Sequence, residues 1–150
     1  MPITPTNGGV LDSLLHLLHR ASQRAEAEFA RTVSVKDLTS RQHVVLSAVA
    51  QRDGLSQTDI VAVTGIDRSG TAALVARLVR GGSLQRRRTR RDARAYSVRI
   101  TALGREKLAA GSKAVRTADE HLTAGLSASQ RTAFVNLLTR VAGRGNQARS

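Results

Sequence analysis

A helix-turn-helix pattern between residues 56 and 82 constrains the fold of this chain more than any other feature. Residues 56–59, Ser-Gln-Thr-Asp, have the form of a capping box, which begins a helix. That helix ends at Gly65, and Asp67 is placed to cap a second helix that stops at the Gly81–Gly82 pair. The second helix has one apolar stripe, which consists of Thr71, Leu74, Val75 and Leu78. Ordinary helical hairpins show the same pattern, so this segment alone leaves both folds open.

Two extended segments follow the second helix directly. Leu84–Thr89 and Tyr96–Ile100 have the composition of strands, and the polar tip Arg90–Arg94 separates them. A helix-turn-helix that continues into a hairpin predicts a winged domain. The hairpin carries arginine at positions 86, 87, 88, 90, 91 and 94. Positive charges this close together repel one another, so we expect a negatively charged partner to compensate them.

The basic charge of the chain is concentrated around this hairpin. The chain has 24 basic and 11 acidic residues, a net charge of +13. Residues 67–107 contain 12 of the basic residues and three of the acidic ones, which leaves a net charge of +9 in that segment. A segregated block of positive charge indicates a polyanionic partner, of which nucleic acid is the first candidate. A membrane surface is a weaker candidate, because the charges lie on a hairpin and not on an amphipathic helix.

The composition excludes several classes of protein. A chain of 150 residues with 41% apolar residues predicts a single domain with a packed core. With two Phe, one Tyr and no Trp, the chain does not resemble modules that stack exposed bases on aromatic side chains. The absence of cysteine excludes disulfides, thiol-based redox switching and cysteine-ligated metals. We find no catalytic triad, phosphate-binding glycine loop, secretion signal or membrane span, so we expect a cytoplasmic protein that is not an enzyme and needs no cofactor.

Helical patterns also lie on both sides of the winged segment. Apolar residues recur at helical spacing from residue 10 to Phe29, and Thr39 begins a capping box that opens a largely buried helix. Thr101 can cap a long helix that Gly111 interrupts, which predicts a bend there. A further capping box at residues 127–130 opens a last helix whose apolar stripe is Phe134, Leu137, Leu138 and Val141. We therefore expect a flexible arm over residues 1–9 and one domain over 10–150. In that domain, we expect residues 39–100 to form a DNA-binding lobe and residues 10–30 and 101–142 to form dimerisation helices, because the apolar stripes at both chain ends exceed what the helices of that lobe can cover. The alternative is that both ends fold back as one monomeric core.

This order of elements, together with two local motifs, resembles the MarR family of transcriptional regulators. The stretch Gly82–Arg87, followed after four residues by Asp92-Ala93-Arg94, is similar to the family's Gly-Leu-Val-x-Arg-Arg … Asp-x-Arg pattern. Ile100–Arg105 likewise resembles its Leu-Thr-x-x-Gly-Arg motif. The resemblance covers roughly residues 10–142. It implies a mainly α fold with a small antiparallel β-hairpin wing: a winged helix-turn-helix with six helices that forms a homodimer.

The chain departs from the family pattern at two places. The family's wing tip usually contains acidic residues and proline, whereas this chain has Arg88-Thr89-Arg90-Arg91. In the second helix of the helix-turn-helix, the recognition helix of the family, Ala72 and Ala73 stand where the family often carries Thr-Arg. The first departure suggests stronger attraction to phosphates and weaker sequence discrimination. The second leaves the residues that read bases open.

The resemblance implies a pseudo-palindromic double-stranded DNA operator, with the recognition helices in major grooves and the wings over flanking minor grooves. Arg94 would enter the minor groove, where a narrow groove attracts a guanidinium group, and Asp92 would hold the wing tip. Residues at helix N-termini can contact phosphates and base edges. The complete set of predicted DNA contacts is Ser56, Gln57, Thr58, Arg68, Ser69, Thr71, Arg77, Arg86, Arg88, Arg90, Arg91, Asp92 and Arg94. Arg87 is a further candidate, but side chains alternate across a strand, so not all of these arginines can face DNA.

Members of the family often bind small aromatic acids between the two lobes, which suggests an effector for this protein as well. The candidate polar lining is His16, His19, Arg20, Arg41 and His43. His16 and His19 are alternatively surface or interface residues. Their spacing also suits a metal, with His43 or His121 as a further donor, but without cysteine and with few acidic residues nearby we predict no metal site.

These observations favour a sequence-specific DNA-binding regulator, most simply a repressor that an aromatic or phenolic ligand releases from DNA. The alternative is an architectural protein that binds DNA of any sequence, which the excess charge of the wing would suit. Affinity for a specific site relative to bulk DNA distinguishes the two functions.

Overall fold

The computed structural model describes residues 13–91 and 95–143, and these residues form a winged helix-turn-helix fold with a hairpin inserted between the fourth and fifth helices. In chain order the elements are α1 (Leu14–Thr32), α2 (Ser40–Gln51), α3 (Gln57–Thr64), α4 (Arg68–Arg80), β1 (Leu84–Arg88), β2 (Tyr96–Ile100), α5 (Ala102–Leu122) and α6 (Ala128–Val141). The predicted fold, mainly helical with a small antiparallel wing, is confirmed. The predicted arm over residues 1–9 lies outside the described residues, as do Asp92 and Arg94 at the wing tip.

Local capping determines where most of the helices begin. Thr39, Ser56 and Ser127 each form a reciprocal capping box with the side chain three residues later. Asp67 caps α4 and Thr101 caps α5, each by accepting a hydrogen bond from a glycine amide three residues on. All five starts were predicted from the sequence. The first helix differs, because Ser13 caps it and it runs from Leu14 to Thr32, later at both ends than predicted.

The core is formed by helices α2, α3 and α4 and the base of the hairpin. Its most deeply buried apolar side chains, each at most 1% exposed, are Val45, Leu46, Val49, Leu55, Ile60, Val75 and Leu84. Phe29 from α1 and Ala114 from α5 join the same cluster. The described part of the predicted DNA-binding lobe therefore has a complete hydrophobic core within one protomer.

The hairpin is fastened to the rest of this lobe along one edge. β1 and β2 pair antiparallel, from Leu84 opposite Ile100 to Arg88 opposite Tyr96. The Val98 amide donates a 2.8 Å hydrogen bond to the carbonyl of Leu55, which lies in the loop before α3. The base of the wing is thus attached directly to the loop that precedes the first helix of the helix-turn-helix.

Gly111 permits a close contact between α5 and α2 and does not interrupt α5. A Cβ atom at this position would lie 2.4 Å from Cδ2 of His43 and 2.9 Å from a methyl carbon of Leu38, too near for any side chain. Helix α5 continues through Gly111 from Ala102 to Leu122. The predicted interruption of α5 at Gly111 is therefore wrong, because this glycine is required for packing against α2.

Helices α1 and α6 leave broad apolar faces exposed. Every residue of α6 is exposed or half-buried, and Phe29 is the buried residue of α1. The exposed apolar side chains here are Leu14, Leu15, Leu17, Phe134, Val135, Leu137 and Val141, with exposed fractions from 42% to 74%. Within the described ranges, no helix is long and apolar enough to cross a membrane.

Candidate nucleic-acid interface

Helix α4 presents a narrow outward face opposite its buried stripe. The buried stripe contains Thr71, Val75 and Leu78. The outward face consists of Ser69, Ala73, Arg77 and Arg80, all exposed. Since these four positions are spaced by four, four and three residues, they form one line along the helix. The face therefore carries a hydroxyl group, a methyl group and two guanidinium groups.

The structure does not bring Thr71 to this face. Thr71 is fully buried, and its hydroxyl group donates a 3.3 Å hydrogen bond to the carbonyl of Ile66. The assignment of Thr71 as a DNA contact is wrong, because the side chain points into the core and completes the turn between α3 and α4.

The N-terminus of α4 lies beside the N-terminus of α3. Arg68 lines a shallow depression together with Gln57, Thr58 and Val61. Three of these four were predicted to contact DNA, so the structure brings Gln57, Thr58 and Arg68 together on one surface. Backbone amides at the two helix starts can supply hydrogen-bond donors to phosphate there.

Ser69 is held by Asp67, the N-cap of α4. The Ser69 hydroxyl group donates a 2.8 Å hydrogen bond to Oδ2 of Asp67. This bond lowers the pKa of the Asp67 carboxyl group, with further contributions from the Gly70 amide and from the positive charge of Arg41. Arg41 therefore lies close enough to α4 to act on its cap, on the side of the molecule that carries the helix-turn-helix.

Ser56 is committed to its capping role. Its hydroxyl group donates to Oδ2 of Asp59 at 2.7 Å and accepts from the Asp59 amide at 3.0 Å. These bonds, together with the Ser56 amide, lower the pKa of the Asp59 carboxyl group. The donor and one acceptor site of the Ser56 hydroxyl group are thereby used. Of the residues predicted at this helix start, Gln57 and Thr58 are therefore better placed for DNA than Ser56.

The wing separates its arginines onto two faces. Arg86 pairs with Val98 and Arg88 with Tyr96, so these side chains share the face of the hairpin that begins at Leu84. Arg87 pairs with Ser97 and lies on the opposite face. Arg90 and Arg91 are exposed near the tip. The register thus separates Arg87 from the two strand arginines that were predicted to contact DNA.

The face of the wing that carries Ser97 also carries Arg99. Nη1 of Arg99 lies 3.5 Å from Oδ2 of Asp53, in the loop between α2 and α3. This ion pair and the Leu55 hydrogen bond hold the wing at two points relative to the helix-turn-helix.

Sequence reasoning missed three exposed residues of this surface. Ala73 and Arg80 lie on the outward face of α4, and Tyr96 is 46% exposed opposite Arg88. The helical period that located the buried stripe of α4 also identifies its outward face, so Ala73 and Arg80 could have been found. For Tyr96, the strand register had to be known.

The five residues predicted to line an effector site are not brought together within one protomer. The first two turns of α1 contain His16, His19 and Arg20. His43 instead contacts Phe29, which lies near the C-terminal end of α1. The thirteen residues between His16 and Phe29 correspond to about 20 Å along a helix. Arg41 lies near Asp67. The cause is the length of α1, which separates its N-terminal half from His43 of the same chain.

His43 instead borders an open groove between α2, α3 and α5. Its ring is 8% exposed, its Nε2 lies 3.1 Å from the Ser112 hydroxyl group, and burial lowers its pKa. The groove encloses about 460 Å³ and is lined by His43, Val44, Ser47, Ala48, Gln51, Val63, Thr64 and Val115. This volume suits a small organic molecule.

His121 takes part in an ion-pair cluster that joins α5 to α1. Its Nδ1 lies 2.9 Å from Oε2 of Glu28, which also pairs with Arg31. These bonds lower the pKa of the Glu28 carboxyl group, Arg31 having the largest effect. Across residues 13–91 and 95–143, no three histidine or acidic side chains are grouped as metal ligands would be.

This chain is similar in sequence and in fold to known regulators of transcription. A model described as the MarR family matches residues 36–95. BpsR of Bordetella bronchiseptica, in a structure that concerns regulation of its DNA binding by 6-hydroxynicotinic acid, is 30% identical with a TM-score of 0.79, and the match covers 86% of this chain and 98% of BpsR. The transcriptional repressor CouR, solved on a 23-mer DNA duplex, is 30% identical with a TM-score of 0.81, over 90% of this chain and 96% of CouR.

A curated relative gives the same result. The putative transcriptional regulatory protein for the hcr operon of Thauera aromatica is 29% identical over 136 residues, which are 90% of this chain and 82% of that protein. The matches cover most of each of these regulators, and BpsR and CouR share the fold described above. The chain therefore belongs to the MarR family of winged helix-turn-helix transcriptional regulators that bind specific sites on double-stranded DNA.

Proposed function

We propose that two copies of this chain bind a pseudo-palindromic operator as a homodimer and repress transcription in the cytoplasm, without enzymatic activity. The observation that carries this proposal is the placement of exposed side chains in each protomer. The outward face of α4 and the arginine-rich wing are basic, whereas the uncovered faces of α1 and α6 are apolar. A second copy can cover the apolar faces and leave the basic surfaces of both protomers directed at DNA.

Each element of the basic surface has its own role on the duplex. The outward face of α4 enters the major groove, where Ser69 and Arg77 meet base edges or phosphates. Gln57, Thr58 and Arg68 hold phosphates beside the groove. Arg86, Arg88, Arg90 and Arg91 follow the backbone, and Arg94 enters the minor groove with Asp92 beside it.

Selection of DNA fragments by the pure protein tests the proposal. A regulator is expected to enrich one two-fold sequence and to prefer it to bulk DNA by at least ~10³ at physiological salt. Uniform enrichment would favour an architectural protein that binds DNA of any sequence. On the selected site, Arg94→Ala is expected to cost about 1–3 kcal/mol, and unchanged affinity would remove Arg94 from the minor groove.

Two neighbouring wing arginines provide a matched pair. Arg88→Ala is expected to weaken binding to all sequences and to reduce the slope of log affinity against log salt by roughly 1.8 for the bound dimer, since each of the two protomers loses one phosphate contact worth roughly 0.9. Arg87→Ala removes the same charge from the opposite face of β1 and should change this slope less. Equal slopes for both variants would show that the salt dependence is determined by the total charge of the wing and not by the face on which each arginine lies.

The groove beside His43 is our candidate site for a small aromatic acid that releases the protein from DNA. Its walls come from α2, α3 and α5, so a ligand there contacts the helix-turn-helix and the helix that follows the wing. Gln51 can donate to or accept from polar ring substituents, and Ser47, whose hydroxyl group donates to the His43 carbonyl, can accept from them. BpsR supports an acid of the hydroxynicotinate type as the first compound to examine.

Val44 allows this site to be blocked without disturbing the core. It lines the groove and is 43% exposed. Val44→Phe should abolish stabilisation by 6-hydroxynicotinic acid in a thermal-shift assay and retain DNA binding, whereas Val44→Ala should keep the response. A response in Val44→Phe equal to that of the wild-type protein would place the ligand elsewhere.

A further inference from the structure

The outward face of α4 is chemically sparse at its centre. Ser69 lies at one end and Arg77 and Arg80 lie toward the other, with Ala73 between them. At 1.5 Å of rise per residue, Ser69 and Arg77 are each about 6 Å from Ala73 along the helix axis. The centre of the face therefore presents a methyl group to the floor of a major groove.

Ser69 and Arg77, which meet base edges or phosphates, lie about one helical turn from Ala73 on either side. The Ser69 hydroxyl hydrogen is already donated to Asp67, which leaves Ser69 as an acceptor. Ala72 and Ala76 flank Ala73 but are half-buried. Direct recognition at the centre of the helix thus depends on apolar contact.

Among the four base pairs, thymine alone offers an apolar group in the major groove, its 5-methyl group. We propose that Ala73 is a specificity-determining residue that packs against the 5-methyl group of one thymine in each half of the operator. This inference rests on the proposed function, because it requires α4 to lie in the major groove. It also gives the unusual alanine of this recognition helix a positive role in selecting A·T pairs.

Thymine-to-uracil replacement removes the methyl group and leaves the hydrogen-bonding groups of the base unchanged. In the operator obtained by selection, each thymine of a half-site is replaced by deoxyuridine in turn, and affinity is measured by fluorescence anisotropy at fixed salt. Burial of one methyl group corresponds to about a 4-fold change in affinity. One thymine per half-site should show this loss with the wild-type protein.

Ala73→Gly provides the second side of a double-mutant cycle. Glycine weakens the helix, but that cost falls equally on thymine and uracil duplexes and cancels in their ratio. The sensitive thymine should lose its advantage with Ala73→Gly, so that both duplexes bind alike. Ala109→Gly, at an exposed position of α5, is the matched control and should preserve the full thymine-to-uracil ratio.

Each result decides the question. A thymine advantage that persists in Ala73→Gly would assign the methyl contact to another residue, and an operator without a methyl-sensitive thymine would also overturn the inference. If no sequence is enriched in the selection, the proposed function fails together with it. A sequence that is enriched but insensitive to uracil overturns this inference alone.

Discussion

The lobe formed by α2, α3, α4 and the wing differs sharply from the helices at the two ends of the chain. In the lobe, Leu46 and Ile60 are completely buried in a core that one protomer closes by itself. In α6, by contrast, Leu137 is 56% exposed and Val141 65% exposed, although both belong to a regular apolar stripe. Both regions have regular apolar stripes, so the sequence pattern alone does not show which stripe is buried within one protomer and which remains exposed.

This contrast has an energetic consequence. A buried leucine contributes to folding of the protomer, whereas an exposed leucine on an amphipathic helix contributes only when another surface covers it. The lobe and the helices at the two ends of the chain are therefore expected to respond differently to the same substitution.

Leu46→Ala should have the largest effect. Leu46 lies in the middle of α2 and is 0% exposed, so truncation leaves a cavity that costs about 2–5 kcal/mol of folding free energy. Chemical denaturation followed by circular dichroism measures this loss. A loss below about 1 kcal/mol would mean that the core of the lobe relaxes around the cavity and is less tightly packed than its burial indicates.

Leu137→Ala makes the same chemical change on the exposed stripe of α6. It should leave the helical content of the protomer unchanged and weaken the dimer by about 1–2 kcal/mol for each leucine covered by the partner, since truncation removes three carbons that are already partly buried. Analytical ultracentrifugation over a range of protein concentrations measures the effect. If Leu137→Ala unfolds the protomer or leaves self-association unaltered, the conclusion that Leu137 contributes to the dimer and not to folding of the protomer is wrong.

The sequence predicted the lobe well because its signals are local. Caps at Thr39 and Ser56 depend on side chains three residues away, and the cap at Asp67 depends on the Gly70 amide at the same separation. The glycine stops are local as well, since Gly65 caps the end of α3 and Gly81 the end of α4. Strand limits were also close, since β1 ends one residue before the predicted limit. These features need no knowledge of tertiary packing.

Long-range contacts account for what the sequence did not predict. The sequence around Gly111 indicates an interruption of α5, because nothing local reveals that His43 packs against this glycine. Arg41 and His43 are two residues apart, yet one lies near the cap of α4 and the other is buried against Phe29. Thr71 is instructive in another way, because its place in the predicted apolar stripe already argued against a DNA contact.

His43 of α2 packs against Phe29 of α1 and Ser112 of α5, and its protonation makes the stability of this contact region depend on pH. Burial lowers the pKa of its ring below the ordinary value of 6.5, and a hydrogen bond to the Leu108 backbone offsets part of that effect. Because the unfolded chain binds this proton more readily, the stabilisation is fully present above pH 6.5 and is lost as the pH falls through the folded pKa.

The thermal midpoint measures this linkage. Between pH 8 and pH 5.5 the midpoint of the wild-type protein should fall further than that of His43→Gln at the same protein concentration. Parallel curves for the two proteins would show that His43 does not couple stability to pH, and the pH response would then have to come from other groups in the two lobes.

Ser83→Ala should have the smallest effect and the opposite sign. The Ser83 side chain is 1% exposed, and its hydroxyl group has no hydrogen-bond partner among the described residues. The backbone of Ser83 is fully used, since its amide donates to Leu78 and its carbonyl accepts from Thr101, and alanine keeps both bonds. Removal of an unpaired buried hydroxyl group should stabilise the protomer by up to about 1 kcal/mol, since its desolvation is no longer uncompensated. The change is measured by denaturant titration in a protein that also carries Leu137→Ala, so that dimerisation does not contribute. A loss of stability would mean that the hydroxyl group has a partner at the junction of α4, the wing and α5.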